Sequence, residues 1–387
     1  MHSGKILKTA KRAGQEKPRQ DMALLTACLN SNSEAMCRAM ALGAAQFPWE
    51  ALISAASAEL VLPALHQRMA EISVNRPAEV SEFLAHVEDL NHARNAQIIE
   101  EAWAVAELLN RIGIEPVVLK GTALLLTGVY PTPGCRYLRD LDILVPRAQL
   151  GAAAAVLERD GYEPDTRDAM ARFRHHYPQL QRPPAPDGSS SAPLELHYSL
   201  GPGVSGKLLT GEDLLRDSFV KEWNGVRIRV PSPEHLVTHL ILHSQLRHCY
   251  SERIFPPLRA MFDLVMLNRH YGSSLDWEEV RRRFRTHRRE PTLLLHLLQA
   301  REKLGLPLPF AFELGGIGQL RWVRRRALNR WPMLRFADPV YVVSSSLSRR
   351  MRFLKSVVAA PGGWKHAARM LFRSGFYRRL LADIALR

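Results

Sequence analysis

The sequence predicts an α+β fold in which helical regions flank a sheet-bearing middle. Three observations carry this. Residues 21–113 are rich in Ala, Leu, Met and Glu, and apolar residues recur three and four apart, as in Leu24, Leu25, Cys28 and Leu29, then Leu60, Leu62, Leu65 and Met69. From Ile114 to about Pro231 short apolar runs alternate with short helical ones and with turns rich in Gly, Pro and Ser. From Ser232 onward the helical spacing returns. The expected organisation is a disordered basic segment 1–20, a helical region 21–113, a core 114–231 and a C-terminal helical region 232–387 with a basic tail.

Each element has a local reason. Pro48, Pro63 and Pro77 divide the first helical region, whose last member is expected from about Val80 to Ile112, stopped at Gly113. Ile114–Leu119 reads as a buried strand running into Lys120-Gly121-Thr122 and a helix to Thr127. Tyr130-Pro-Thr-Pro-Gly134 is a turn, and Arg139–Val145 is a second strand. Pro146 opens a helix over Arg147–Asp160 that Gly161 ends. Phe173–Gln181, Leu194–Tyr198 and Val226–Val230 read as further strands, with 182–192 as a loop. Ser232-Pro233 is an N-terminal signal for the next helix, and Leu293–Leu298 belongs to a core helix.

Composition excludes several classes. Cys28, Cys37, Cys135 and Cys249 form no CxxC pair, which argues against a zinc ribbon or a disulfide framework and fits a reducing compartment. The N-terminus has no apolar stretch of the secretory kind, and no apolar run reaches the roughly 18 residues of a membrane span. The chain therefore reads as cytoplasmic. Its net charge of +15 is uneven: residues 281–387 hold 24 Lys and Arg against 5 acids, so the remainder is net negative. Arg321–Arg326 and Arg349–Lys355, interleaved with Trp322, Trp331, Phe353 and Trp364, would suit nucleic acid through charge and stacking, or an anionic membrane surface as a peripheral contact. A solvated helical surface accounts for the same charge.

The chemistry concentrates in Arg136-Tyr-Leu-Arg-Asp-Leu-Asp-Ile-Leu-Val145. On a strand, Asp140, Asp142 and Leu144 share one face while Leu141, Ile143 and Val145 share the other. Two adjacent carboxylates beside a core are unfavourable unless something neutralises them, and a divalent cation does so. Two solvated acids at a strand end are the plain alternative. What precedes them favours chemistry: a strand ending in a glycine turn at a helix start can hold phosphate through backbone N–H groups, and Lys120 adds a positive charge. Glu195 is the candidate third acid, with His197 on the same strand face. His235, His239 and His243 fall on one helix face; without an HExxH or a Cys pair they read as a packing face, or as placing His243 against the site, rather than as zinc ligands.

Val118-Leu-Lys-Gly-Thr-Ala-Leu-Leu-Leu126, Tyr130-Pro-Thr-Pro-Gly-Cys-Arg136, Asp140-Leu-Asp-Ile-Leu-Val-Pro146 and Leu194-Glu-Leu-His-Tyr198 together resemble the uncharacterised bacterial nucleotidyltransferase-like family of the DNA polymerase β superfamily. The resemblance extends through Pro233–His243 to the helix around Arg259 and Asp263. It implies a small mixed sheet with the acids on neighbouring strands, an NTP donor, and Mg²⁺ or Mn²⁺ held by Asp140, Asp142 and Glu195. By the same resemblance Lys120, Gly121, Thr122 and Arg136 would meet the nucleotide, with Arg139, His197 and His243 as accessory groups. The chain departs from the superfamily in having Lys120 where the first glycine of the phosphate turn stands. The implied reaction moves an NMP to a hydroxyl on RNA, a protein, a peptide or a small molecule. The rival expectation is a module that binds nucleotide or a partner without turnover.

Overall fold

A computed structural model describes residues 22–33, 37–38, 47–165, 175–184, 191–201, 203–247 and 257–330. The expected disordered segment 1–20 and the tail motifs Trp331, Arg349–Lys355 and Trp364 lie outside them.

The α+β expectation holds. Seven strands form one mixed sheet: β1 (Val117–Val118), β2 (Leu141–Leu144), β3 (Glu163–Pro164), β4 (Leu180–Gln181), β5 (Leu194–His197), β6 (Ser218–Trp223) and β7 (Val226–Pro231). Their order is β3-β4-β5-β2-β1-β7-β6. The pairs β2–β5 and β1–β7 are parallel and the others antiparallel. The centre is covered on both faces, so β1 and β2 are buried along their whole length, as continuous apolar runs predict.

Before the sheet come helices over residues 22–29, Trp49–Ala58, Leu62–Glu71 and Ala78–Asn110. The long helix follows Pro77 and gives way to a turn at Gly113, whose φ of 75° an L side chain would resist. After the sheet come Pro233–Ile241, Leu258–Tyr271, Trp277–Thr286, Glu290–Leu304 and Gly316–Arg330. Ser232 caps the first of these by accepting from His235 N–H at 3.3 Å.

Some boundaries differ from expectation, each for a physical reason. The second strand starts at Leu141 rather than Arg139, because its partner β5 starts at Leu194, opposite Leu141. Asp140 thus precedes the ladder and stays half-buried. Among the described residues 175–181 of the expected strand 173–181, only a bridge at His176 and the pair Leu180–Gln181 form; Pro178, which lacks an N–H, lies between. β6 is absent from the sequence reading. It is an exposed edge strand, so apolar patterning is weak, but its turn Asn224-Gly225 (φ 51° and 78°) has the residues a two-residue hairpin demands.

Within the described part of the basic segment, Arg281, Arg282, Arg283 and Arg285 are paired with nearby acids. Arg281 Nε lies 2.6 Å from Glu290, Arg283 Nε lies 2.7 Å from Glu279, and Arg282 also pairs with Glu279. Among the described residues no helix is long and apolar enough to cross a membrane.

One contact fixes the loop that enters β2. Asn91, Arg94 and Asn95 lie on one face of the long helix, three and four apart. Asn91 Nδ2 donates to the carbonyls of Gly134 (2.7 Å) and Arg136 (3.0 Å), and Asn95 Nδ2 to those of Pro133 and Arg136 (both 2.6 Å). Arg94 donates to Leu138 O and stacks over the Tyr137 ring at 4.1 Å. Replacing both asparagines by alanine should lower the free energy of unfolding in urea by about 2–4 kcal/mol, since buried carbonyls lose their donors; a loss below about 0.5 kcal/mol would remove this loop clamp from the account.

Candidate active site

β2 and β5 run parallel with Asp142 opposite Glu195 and Leu144 opposite His197. In-register partners share a face, so Asp142, Glu195 and His197 emerge on the same side. The end of β1 is tied to β2 by Leu119 N–H donating to Asp142 O at 2.9 Å. The chain then turns at Lys120, whose φ of 50° is left-handed and costs a non-glycine residue about 1 kcal/mol. In this turn the Lys120 ammonium reaches the carboxylates: Nζ donates to Asp142 Oδ1 at 2.5 Å and lies 3.6 Å from Glu195 Oε2. His197 Nε2 is 2.7 Å from the same Asp142 oxygen and 3.3 Å from Glu195 Oε2.

Asp142 is 1% exposed. Burial pushes its carboxyl up, but the Lys120 ammonium and the hydrogen bond with His197 outweigh this and hold it below the usual range. Burial likewise opposes the Glu195 carboxylate, while His197 and Lys120 hold its pKa far down. Asp140 goes the other way: burial and the neighbouring charges of Asp142 and Glu195 raise it, against the pull of Lys120 and Arg259. Burial disfavours the Lys120 ammonium, yet Asp142, Glu195 and Asp140 leave its pKa raised. The acids therefore separate into two whose carboxyls are held down and one whose carboxyl is raised.

This donor set fits a divalent ion. One ligand atom each from Asp142, Glu195 and His197 lies within 4.8 Å of the others, which is a cluster that one ion can span. Asp142 and Glu195 against the Lys120 ammonium leave a net negative charge near −1, which a divalent cation would offset. Asp140, expected among the ligands, is not in that converging group. A nitrogen donor from His197 stands there instead.

The Lys120-Gly121-Thr122 turn was expected to face a phosphate with Arg136. Gly121 is indeed required, but for another contact: a Cβ there would collide with the Arg136 guanidinium and the Leu138 side chain. Thr122 is buried, and its hydroxyl lacks a hydrogen-bond partner. Arg136 is itself committed to Asp263, with Nε and one terminal nitrogen each 2.8 Å from a different carboxylate oxygen, and Tyr130 O–H donates to the same carboxylate at 2.6 Å. Arg139 is exposed. His235 and His239 are buried and His243 is half-buried, with the His239 and His243 rings 6.1 Å apart. The three do not appear among the described metal-competent groups.

The family model for an uncharacterised nucleotidyltransferase matches residues 45–305. The chain belongs to this nucleotidyltransferase family. No curated protein matches it. The crystal structure of an antigenic nucleotidyltransferase-like protein from Paracoccidioides brasiliensis is similar over 54% of this chain and 94% of that one, at 13% identity and a TM-score of 0.35. The family match takes in the Lys120 turn, Asp142, Glu195 and His197, and also the Arg136–Asp263 pair.

Sequence reasoning left several of this nucleotidyltransferase-family member's residues out of the site. Asp263 and Tyr130 anchor Arg136 from outside the acid motif. His175 and His176 pack against His197, with ring centroids 5.2 Å from it and 4.8 Å from each other. The adjacent His-His pair beside a strand was the available signal. His239 shares the field of the cluster: burial, then the Lys120 charge, lowers its pKa to about 3. Its folded pKa lies below the unfolded value of about 6.5, so the unfolded chain takes up the proton first. The stability it contributes is full above about 6.5 and is lost as pH falls towards 3. Urea unfolding at roughly pH 7 and pH 5 should therefore show a smaller pH effect in His239→Gln than in wild type, by up to about 2 kcal/mol. An identical pH effect would contradict a neutral, buried His239.

Proposed function

We propose that the chain transfers a nucleoside monophosphate from an NTP to a hydroxyl acceptor and releases pyrophosphate. The observation that supports this most is the in-register pairing of Asp142 with Glu195, with His197 Nε2 and Lys120 Nζ against the same oxygens. Membership of the wider DNA polymerase β superfamily is part of the same reading.

Asp142, Glu195 and His197 would hold Mg²⁺ or Mn²⁺. Such an ion, when bound, neutralises phosphate charge and lowers the pKa of a coordinated hydroxyl. The chain's own groups do the rest. Glu195, held far down, is a poor base and a good ligand. Asp140, half-buried and with its pKa raised by burial and by Asp142, is the stronger base and the better acceptor for the hydroxyl's hydrogen. Oxygen of the deprotonated hydroxyl attacks the α-phosphorus, the bond to the β-phosphate oxygen breaks, and pyrophosphate leaves with the electron pair. Lys120 holds Asp142 ionised and in position throughout.

The acceptor belongs to RNA, a protein, a peptide or a small molecule. The basic tail would favour nucleic acid or an anionic membrane, although the arginines near 281–285 already have acidic partners. One observation favours a second reading, binding without turnover: the Lys120 ammonium already sits where a cation would meet Asp142.

Incubation with α-labelled NTPs, Mg²⁺ or Mn²⁺, and total RNA or protein as acceptors separates the two. Label transfer should occur with wild type and fall about 100-fold or more in Asp142→Asn and Glu195→Gln. Nucleotide binding with no transfer would favour the second reading, and equal transfer by the variants would refute the assigned site.

A further inference from the structure

The groups first expected to hold phosphate are otherwise engaged. Arg136 makes a two-pronged pair with Asp263, Gly121 is covered by that same guanidinium, and Lys120 is bound to Asp142. A polyphosphate near a net-negative cluster is repelled unless cations stand beside that cluster. The site as built from those residues therefore has acid to hold an ion and no basic group left for the anion.

Arg259 supplies one. It lies in the first turn of the helix Leu258–Tyr271, one turn before Asp263 and so on the same face. That face is turned to the site, because Asp263 grips Arg136 from it. Arg259 itself is half-buried, and among the described residues it has neither a hydrogen bond nor an ion pair. Both Asp263 oxygens are already engaged: Oδ1 accepts from Tyr130 and Arg136 Nε, and Oδ2 accepts from the other arm of Arg136. Arg259 is close enough to feel both Arg136 and Asp140. Burial and then the Arg136 charge disfavour its guanidinium, while Asp263, Asp140 and Tyr130 favour it, and Asp140 in turn is pulled down by Arg259.

Three features make this an unusual place for an unpaired arginine. It is partly withdrawn from water, where a lone charge is costly. It feels the charge of a second guanidinium, that of Arg136. It also occupies the positive end of a helix, where cations are disfavoured and anions favoured. Glu59 Oε2 accepts from Leu258 N–H at 3.2 Å, which fixes the helix start one residue away. An incoming anion relieves all three conditions at once, and a guanidinium fork meets two phosphate oxygens together.

We propose that Arg259 is the phosphate-gripping residue of this site and that its ligand is the polyphosphate of the nucleotide. This rests on the nucleotidyl-transfer reading for the identity of the ligand. Arg259 and the acid cluster then flank the polyphosphate from two sides. Arg136 is a positioning residue, holding Gly121 and the turn, and does not touch the ligand.

Calorimetry with inorganic tripolyphosphate and Mg²⁺ tests this on the 387-residue chain. Arg259→Gln should weaken binding about tenfold or more. Arg259→Lys, which keeps the charge and loses the fork, should fall between it and wild type. The exposed Arg321→Gln should bind as wild type does, since a surface arginine elsewhere is not part of the grip. Wild-type affinity in Arg259→Gln, or equal weakening in Arg321→Gln, would overturn the role of Arg259 while leaving the nucleotide reading intact. Failure of the wild type to bind both tripolyphosphate and every NTP would overturn the nucleotide reading and the Arg259 role together.

Discussion

A carboxylate that is almost wholly buried needs a partner, and the architecture of this core follows from how Asp142 gets its partners. Leaving such a charge uncompensated costs a folded protein about 3–5 kcal/mol. Two groups prevent that. His197 arrives because β5 pairs with β2 in parallel register, and Lys120 arrives because the chain after β1 accepts a left-handed residue. The turn at Lys120 is in turn packed under Arg136, which only a glycine at 121 permits. Arg136 is held by Asp263 on a C-terminal helix, and its loop by Asn91 and Asn95 on the N-terminal long helix. Helices from both ends of the described chain thus converge on one turn.

The same arrangement sets the chemistry. An ammonium against Asp142 and Glu195 keeps both ionised, so they can bind a cation without first losing a proton. It does not neutralise the whole cluster, and the residual charge suits one divalent ion. Asp140, outside the strand ladder and nearer solvent, is left with the opposite tendency. Neighbouring acids with pKa values driven apart are the usual basis for dividing ligand and proton-transfer roles. His197 adds a nitrogen donor to the two carboxylates, so the range of ions such a group would accept is wider than for the all-oxygen set that the sequence suggested.

Much of this was legible in the residues. The period-two pattern around Asp142 and Glu195 announced two strands with acids on a shared face, and the glycine turn after Val118 announced the connection between β1 and its helix. The α+β class followed from the change of texture at Ile114. What could not be read was pairing. Register between β2 and β5 puts His197 beside Asp142, and no local pattern states which strands are neighbours. Arg136 illustrates the limit: its chemistry suits phosphate, but its partner Asp263 is 127 residues away, so only the folded chain reveals that it is occupied. β6 was missed because an exposed edge strand has little apolar alternation, although Asn224-Gly225 carried the signal.

Asp142, Glu195 and His197 would form one preorganised divalent-cation site. Titrating the 387-residue chain with Mn²⁺ and following the free ion by electron paramagnetic resonance tests it without reference to substrate. Wild type should show one site, lost in Asp142→Asn and weakened in both Glu195→Gln and His197→Gln. Unaltered Mn²⁺ binding in Asp142→Asn would contradict it.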